Sequence, residues 1–309
     1  MSWKPVIVGV DATPAAAGAA AFGCHLATVT QTRCHLVHAT RDAWTLYAAM
    51  EAPQAVADFN TALIDQGRHQ VSDALRGGVP AATLGELEVR SGPPAEVIER
   101  VADERDAGVI VLGGKAHSPL GRWFGGSTSL NVARTAAVPV LTTVGAPRTL
   151  RRVLVAVDLS AAAGPTLAVA QAYAEAFGAK LRAVSVFEPL PVVPEAAPLL
   201  SPDEYYALLQ EMLERDVWSR LALPGADRAI RYGTAVEALL REVTEWKADL
   251  LVLGSHGKGW AERVLIGSVT EKLLNHLPTS VLVVPVAAAA RRETARAARR
   301  EATLATAPA

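Results

Sequence analysis

The chain has 309 residues, with 30 Lys and Arg against 31 Asp and Glu and a formal net charge of -1. That length suits about two domains of roughly 150 residues each, and the charge balance argues against a surface built mainly to hold nucleic acid. Half the residues are hydrophobic, yet no apolar run approaches the ~18 to 20 residues of a membrane helix, so a soluble chain with no membrane partner is expected.

The first residues run from Met1 to Pro5 directly into a strand-like VIVGV. They carry neither the h-region nor the cleavage site of a signal peptide, and the cytoplasm is the expected compartment. Cys24 and Cys34 match no metal spacing. Two reduced, packed thiols are expected, with a redox pair as the alternative.

VIVGVD at 6–11 is an apolar run of strand length ending in an acid, and VLVAVD at 153–158 repeats it. Continuous apolar character predicts strands buried on both faces, as in a parallel sheet. After each, a hydroxyl residue (Thr13, Ser160) can cap an Ala-rich helix running to about Thr28 and Phe177. CHLVHAT (34–40) and LRAVSVF (181–187) read as second strands, so the two halves run in step.

The next segments differ between the halves. In the first, a long helix ends near Arg76. In the second, Pro189, Pro191, Pro194 and Pro198 predict an extended loop, after which Ser201, Pro202 and Glu204 form a helix start with a cap, a proline at the first position and an acid three residues on. Each half then gives a third strand (84–90; 228–232), a helix (95–104; 236–246), a fourth strand (109–113; 250–254), a glycine loop, a helix and a last strand (138–144; 281–286). Gly92 matches Gly233, Gly113 matches Gly254, and Gly126 matches Gly267. Alternating strands and helices imply right-handed crossovers and a doubly wound α/β fold. Ligands in such sheets sit beyond the carboxyl ends of the strands where strand order reverses, which is where an acid ending strand one meets a loop after strand four. Both last strands are apolar and would be exposed at sheet edges, and pairing them inside the chain would cover both.

The loop from Gly254 to Ser268 reads GSHGKGWAERVLIGS. It has neither the ending of a Walker A loop nor a G-x-G-x-x-G fingerprint. Its G-x-x-G, nine residues, G-S spacing resembles the ATP-binding loop of the universal stress protein family. With the V-x-V-D strands and the strand-two valine, the resemblance covers nearly the whole chain. It implies two tandem flavodoxin-like domains, each a five-stranded parallel sheet of order 3-2-1-4-5, pairing through their last strands as a dimer within one chain. The expected domains are 1–147 and 148–286, followed by an Ala- and Arg-rich tail at 287–309 that reads as disorder or a frayed helix.

In the second domain the resemblance assigns Gly254, Gly257, Gly267 and Ser268 to the phosphates and ribose, and Val269 to the same turn through its backbone. It places Asp158 near adenine and ribose, and Val186 against the base. Two assignments have structural competitors. Ser268 to Glu271 reads as an S-x-x-E capping box, and Asp158 can orient the turn into the next helix. Among nearby side chains, His256, Lys258 and Arg263 add positive charge, and Trp260 can stack on a base or sit at the rim. The first domain keeps Asp11, Gly113, Gly126 and Ser127. Ala116 stands where the second glycine should be, and Ala39 replaces the base-contacting valine, so weaker binding is expected there. His38, ending strand two, reads as packed or loop-bonded.

The functional expectation is an ATP-binding, nucleotide-responsive stress or regulatory protein, with or without Mg2+, whose second domain binds more tightly. A slow ATP hydrolase or adenylyl-transferring enzyme and an AMP or cyclic AMP sensor or scaffold are the alternatives, because a phosphate loop does not report how many phosphates follow. No catalytic residue, metal site or nucleophile elbow is apparent. A homodimer and an unidentified protein partner stay open.

Overall fold

The structure is a computed structural model that describes residues 3–40, 53–114, 128–145, 149–189, 201–221, 225–255 and 266–285. The first half comprises β1 (Val6–Gly9), α1 (Pro14–Val29), β2 (Cys34–Thr40), α2 (Pro53–Leu75), α3 (Ala81–Gly85), β3 (Glu88–Ser91), α4 (Pro94–Glu104), β4 (Val109–Gly113), α5 (Thr128–Thr135) and β5 (Val140–Thr143). The second comprises β6 (Arg152–Ala156), α6 (Ala163–Phe177), β7 (Lys180–Phe187), α7 (Pro202–Asp216), β8 (Asp227–Tyr232), α8 (Ala235–Trp246), β9 (Leu250–Gly254), α9 (Ser268–His276) and β10 (Ser280–Val284).

These strands form one ten-stranded sheet, ordered β3-β2-β1-β4-β5-β10-β9-β6-β7-β8. Each half is a parallel 3-2-1-4-5 unit, and the halves join where β5 and β10 pair antiparallel, Leu141 opposite Leu282. The two apolar last strands thus cover each other within the chain, as their composition requires. On the first unit's central strand, Val6 and Val8 point to one core layer and Ile7 to the other, all at most 1% exposed. That arrangement explains the unbroken apolar runs: a strand covered on both faces has no polar face to display.

Each core layer spans both halves. On one face α1, α2, α6 and α7 supply Phe22, Leu75, Leu167 and Leu213. On the other, α4, α5, α8 and α9 supply Ile98, Leu130, Leu239 and Leu273. Full burial of each such side chain contributes about 1.5 to 3 kcal/mol, so most of the stabilisation lies in these layers. Direct contacts cross the boundary: Phe22 stacks on Phe177 at 6.0 Å, and Trp3 meets the edge of Tyr173 at 5.1 Å. Arg134 pairs with Glu271 at 2.7 Å on the opposite face. With both side chains about a third exposed, that pair contributes about 1 kcal/mol at most.

Local signals locate most helix starts. Thr13 caps α1 by accepting from the Ala16 amide, with Pro14 at the first helical position. Ser201 and Glu204 form a reciprocal capping box at α7, with Pro202 next. Ser201→Ala should therefore lower stability by about 1 kcal/mol, read from the urea midpoint at unchanged slope, whereas loss of less than a third of that would separate the cap from folding stability.

Three expectations need correction. The stretch expected as a third strand at 84–90 divides into α3 and a shorter β3. Pro80, held at φ -59, opens a helical turn, and Leu84 packs from that turn against the core. In the second half, Ser160 does not cap the following helix. Its hydroxyl donates to Asp158 and accepts the Ala162 amide at 3.3 Å, one residue ahead of the helix, and α6 begins at Ala163 with Ala162, not Ser160, at the N-cap. The last strands are shorter than expected and occupy Val140–Thr143 and Ser280–Val284. Most of the proline-rich stretch after Glu188 and the whole tail at 287–309 lie outside the described residues. Among the described residues no helix is long and apolar enough to cross a membrane.

Candidate functional site

A cavity of about 320 Å³ opens at the carboxyl ends of β6, β7 and β9. Its walls come from α6 and α7 on one face of the sheet and α8 and α9 on the other. β6 is the strand from which order runs outward in both directions, to β7 and to β9, so the cavity occupies the switch point of the second unit. Its volume falls in the range of small-molecule pockets, about 300 to 1,000 Å³.

Six of the seven second-half candidates line this cavity: Asp158, Val186, Gly254, Gly267, Ser268 and Val269. The seventh, Gly257, lies outside the described residues, as do His256, Lys258, Trp260 and Arg263. The described ends of their loop are pinned together. The Gly267 amide donates to the Ser255 carbonyl at 2.7 Å, the Ser255 amide to Val284 at 2.8 Å, and the Thr270 hydroxyl to Gly254 at 2.9 Å. These bonds hold the end of β9 against the start of α9.

Ser268 is not part of a capping box. Gly267 occupies the N-cap position in extended conformation (φ -72, ψ 148), so Ser268 is already the first helical residue, and no side chain caps the helix. The Glu271 carboxylate, which the box would need, bonds Arg134 of the first half instead. Among the described residues no side chain accepts from the first-turn amides of α9, and the start of that helix lines the cavity. Such an end carries about half a positive charge and favours an anion.

Asp158 meets both of its expected descriptions. Its carboxylate accepts the Ser160 amide at 3.0 Å and the Ser160 hydroxyl, which shapes the turn into α6, and it also faces the cavity. Val186 is partly buried against the core layer and lies beside Val184 and Leu253. The arrangement offers an apolar slot between β7 and the flanking helices, a carboxylate just beyond the end of β6, and across from it the amino terminus of α9, whose first-turn amides meet no side chain among the described residues. Chemically it can take a flat apolar ring at one end and a phosphate at the other.

Two lining residues escaped the sequence reading. Glu188 accepts the Ala235 amide at 3.1 Å and so caps α8 from the end of β7. Tyr205 projects from α7, in contact with Tyr206 at 5.5 Å, and Tyr206 stacks on Phe187. The signal for Tyr205 was the aromatic pair in the first turn of a strongly capped helix. Nothing local marks Glu188, because its partner is 47 positions away.

In the first half, Asp11 accepts the Thr13 amide at 2.9 Å and the Thr13 hydroxyl, repeating the turn at Asp158. Gly113 ends β4 beside β1, and the Ser129 hydroxyl reaches its carbonyl as Thr270 reaches Gly254. Gly126, Ser127 and Ala116 lie outside the described residues. His38 bonds the Val10 carbonyl at 2.8 Å through Nδ1, as expected of a loop-bonded histidine. Among the described residues no three His, Cys, Asp or Glu side chains gather as metal ligands.

Comparison with known proteins agrees with this repeat. The model of the universal stress protein family matches twice, over residues 2–143 and 149–285. A universal stress protein of Mycobacterium tuberculosis is 28% identical over 301 residues, covering 90% of this chain and 95% of its own. One from Mycolicibacterium smegmatis is 26% identical over 291 residues, covering 90% and 96%. The crystal structure of a universal stress protein from Archaeoglobus fulgidus has a TM-score of 0.63 at 18% identity, covers 91% of this chain and 98% of its own, and is similar in fold.

Proposed function

The chain belongs to the universal stress protein family, and on that premise we propose that it is an ATP-binding regulatory protein of the stress response, with its tighter site in the second domain. The observation that carries this reading is the switch-point cavity that gathers Asp158, Val186, Gly254, Gly267, Ser268 and Val269. In it, Val186 and the neighbouring apolar side chains would hold the base, Asp158 would accept from a ribose hydroxyl, and the uncapped amides of α9 would meet phosphate. Any Mg2+ would arrive with the nucleotide and be held mainly by its phosphates.

The first domain keeps the acid and the loop glycines Gly113 and Gly126 but has Ala116 at the second glycine and Ala39 at the base-contacting valine. Both changes weaken its site. Regulation follows from linkage: a ligand that binds only the folded state stabilises it by RT ln(1 + [L]/Kd), about 2.7 kcal/mol at a hundredfold excess over Kd. Nucleotide level thereby sets the population available to a protein partner.

Thermal shift titrations with ATP, AMP and cyclic AMP, run side by side, test the reading. ATP should raise the melting temperature in step with that relation, and Gly257→Val should remove the rise. No rise with ATP, or a rise untouched by the substitution, refutes ATP binding at the second site. A larger response to cyclic AMP or AMP moves the ligand to that nucleotide, and phosphate release abolished by Asp158→Asn moves the chain among the hydrolases.

A further inference from the structure

Two sulfurs face each other in the first domain, away from the nucleotide crevice. The Sγ atoms of Cys24, on α1, and Cys34, the first residue of β2, are 3.3 Å apart, and both thiols are free. A disulfide bond is about 2.05 Å long, so roughly 1.3 Å of approach separates this pair from bonding. Gly23 places them there. A Cβ at that position would stand 2.4 Å from Val8 Cγ2, so its absence lets α1 lie close on the sheet. The Thr28 hydroxyl then bonds the Cys24 carbonyl at 2.9 Å, which holds the last turns of the helix.

Access and reactivity are divided between the two. Cys24 is 7% exposed, whereas Cys34 is half-buried and gives a small oxidant a route to the pair. The hydrogen bond they share pulls the Cys24 thiol below its ordinary range against the opposing effect of burial, and the same bond, with burial, pushes Cys34 up. A thiol so lowered supplies more of the nucleophilic thiolate. The second domain builds the same α/β unit with Gln171 and Leu181 at the matching positions, so the fold does not require a sulfur pair.

We propose that Cys24 and Cys34 are a peroxide-responsive site that closes to a reversible disulfide in the folded first domain. The Cys24 thiolate attacks one oxygen of hydrogen peroxide; the O–O bond breaks, and the departing hydroxide takes up a proton to become water. Cys24 then carries a sulfenic acid. The Cys34 sulfur attacks it, the S–O bond breaks, and the hydroxyl leaves as a second water with the Cys34 proton. Two thiols are oxidised to one disulfide and one peroxide is reduced to two waters. A dithiol reductant reverses the bond by exchange.

The test treats the full chain with one equivalent of peroxide at neutral pH, then denatures it, adds a maleimide and weighs it. The expected product is a monomer lighter by about 2 Da that takes up no maleimide, and takes up two after reduction with dithiothreitol. Digestion should show the Cys24 and Cys34 peptides joined, and C24S or C34S should each abolish that product. Because the pair is only ten positions apart in sequence, the same dose is applied in denaturing urea, where closure should be at least about tenfold slower. Equal rates in urea, uptake of two maleimides after peroxide, or oxidation ending in sulfinic acid or in covalent dimers overturns the proposal.

Discussion

Leu282→Ala should destabilise the whole chain by about 3 kcal/mol, not the second domain alone. Leu282 has no exposed surface. It lies on β10 between β9 of its own half and β5 of the other, directly opposite Leu141. The core layer to which it belongs contains Val6, Phe22 and Leu36 of the first half as well as Leu154's neighbours Val153 and Val155 of the second. A cavity opened there loses contacts to both halves, because packed interiors relax only partly around a deleted side chain. Hydrogen exchange should show equal loss of protection in the amides of β1 and β6, with a single calorimetric transition. Two transitions, with only the second-half strands losing protection, would show that the β5–β10 seam joins independently stable units. Leu208→Ala serves as the comparison, since Leu208 is 45% exposed and its loss should stay within about 0.5 kcal/mol.

That continuity between halves was legible from two facts in the sequence: apolar last strands and a chain that repeats itself. β4 and β9 begin and end at the expected residues, because a buried parallel strand bounded by glycine leaves little freedom in its ends. The 84–90 stretch was misread because its apolar spacing suits a strand, while Pro80 and the packing of Leu84 and Leu87 impose a turn first. The repeat also keeps a conformation across a change of residue. Gly178 ends α6 at φ +62, and its counterpart Gln31 takes φ +54 without the glycine, so the residue type at a helix end does not by itself report the backbone geometry there. Local propensity describes a segment alone, and these outcomes were settled by what the segment touches.

Within the candidate site, the residues that were legible are those set by the backbone path: the acid ending β6, the valine of β7, and the glycines around α9. Glu188 and Tyr205 were not, since they reach the cavity from segments whose approach depends on the tertiary fold. Ser268 was half legible. Its S-x-x-E pattern is genuine, but a helix that starts one residue earlier than the box requires leaves the serine at the first helical position, and Arg134 from the other half takes the glutamate. Through Arg134 the first domain thus engages the carboxylate that a capping box at the start of α9 would need.

Gly113 shows how a glycine that the family resemblance assigns to a ligand can be required before any ligand is considered. A Cβ built there would lie 2.5 Å from both the carbonyl carbon and oxygen of Ala15 and 2.8 Å from the Ala16 amide nitrogen. These are backbone atoms in the first turn of α1, fixed by the Thr13 cap and by burial of Ala16, so no side-chain rotation relieves the clash. Gly113→Ala should therefore cost about 3 kcal/mol through displacement of α1 from β4, measured by urea unfolding in the absence of nucleotide. Gly145→Ala is the control: its φ of +68 is strained for alanine, but nothing lies within 4 Å of the added carbon, and about 1 kcal/mol is expected. If the two substitutions cost the same, close approach of α1 is not what holds position 113 to glycine. If Gly113→Ala costs the larger amount without ligand, then the loss of nucleotide response in that variant reports a displaced helix. Gly257→Val, at the glycine that the family resemblance assigns to phosphate, is then the substitution that separates binding from folding: it should leave ligand-free stability within about 1 kcal/mol of the parent while removing the ATP-dependent rise.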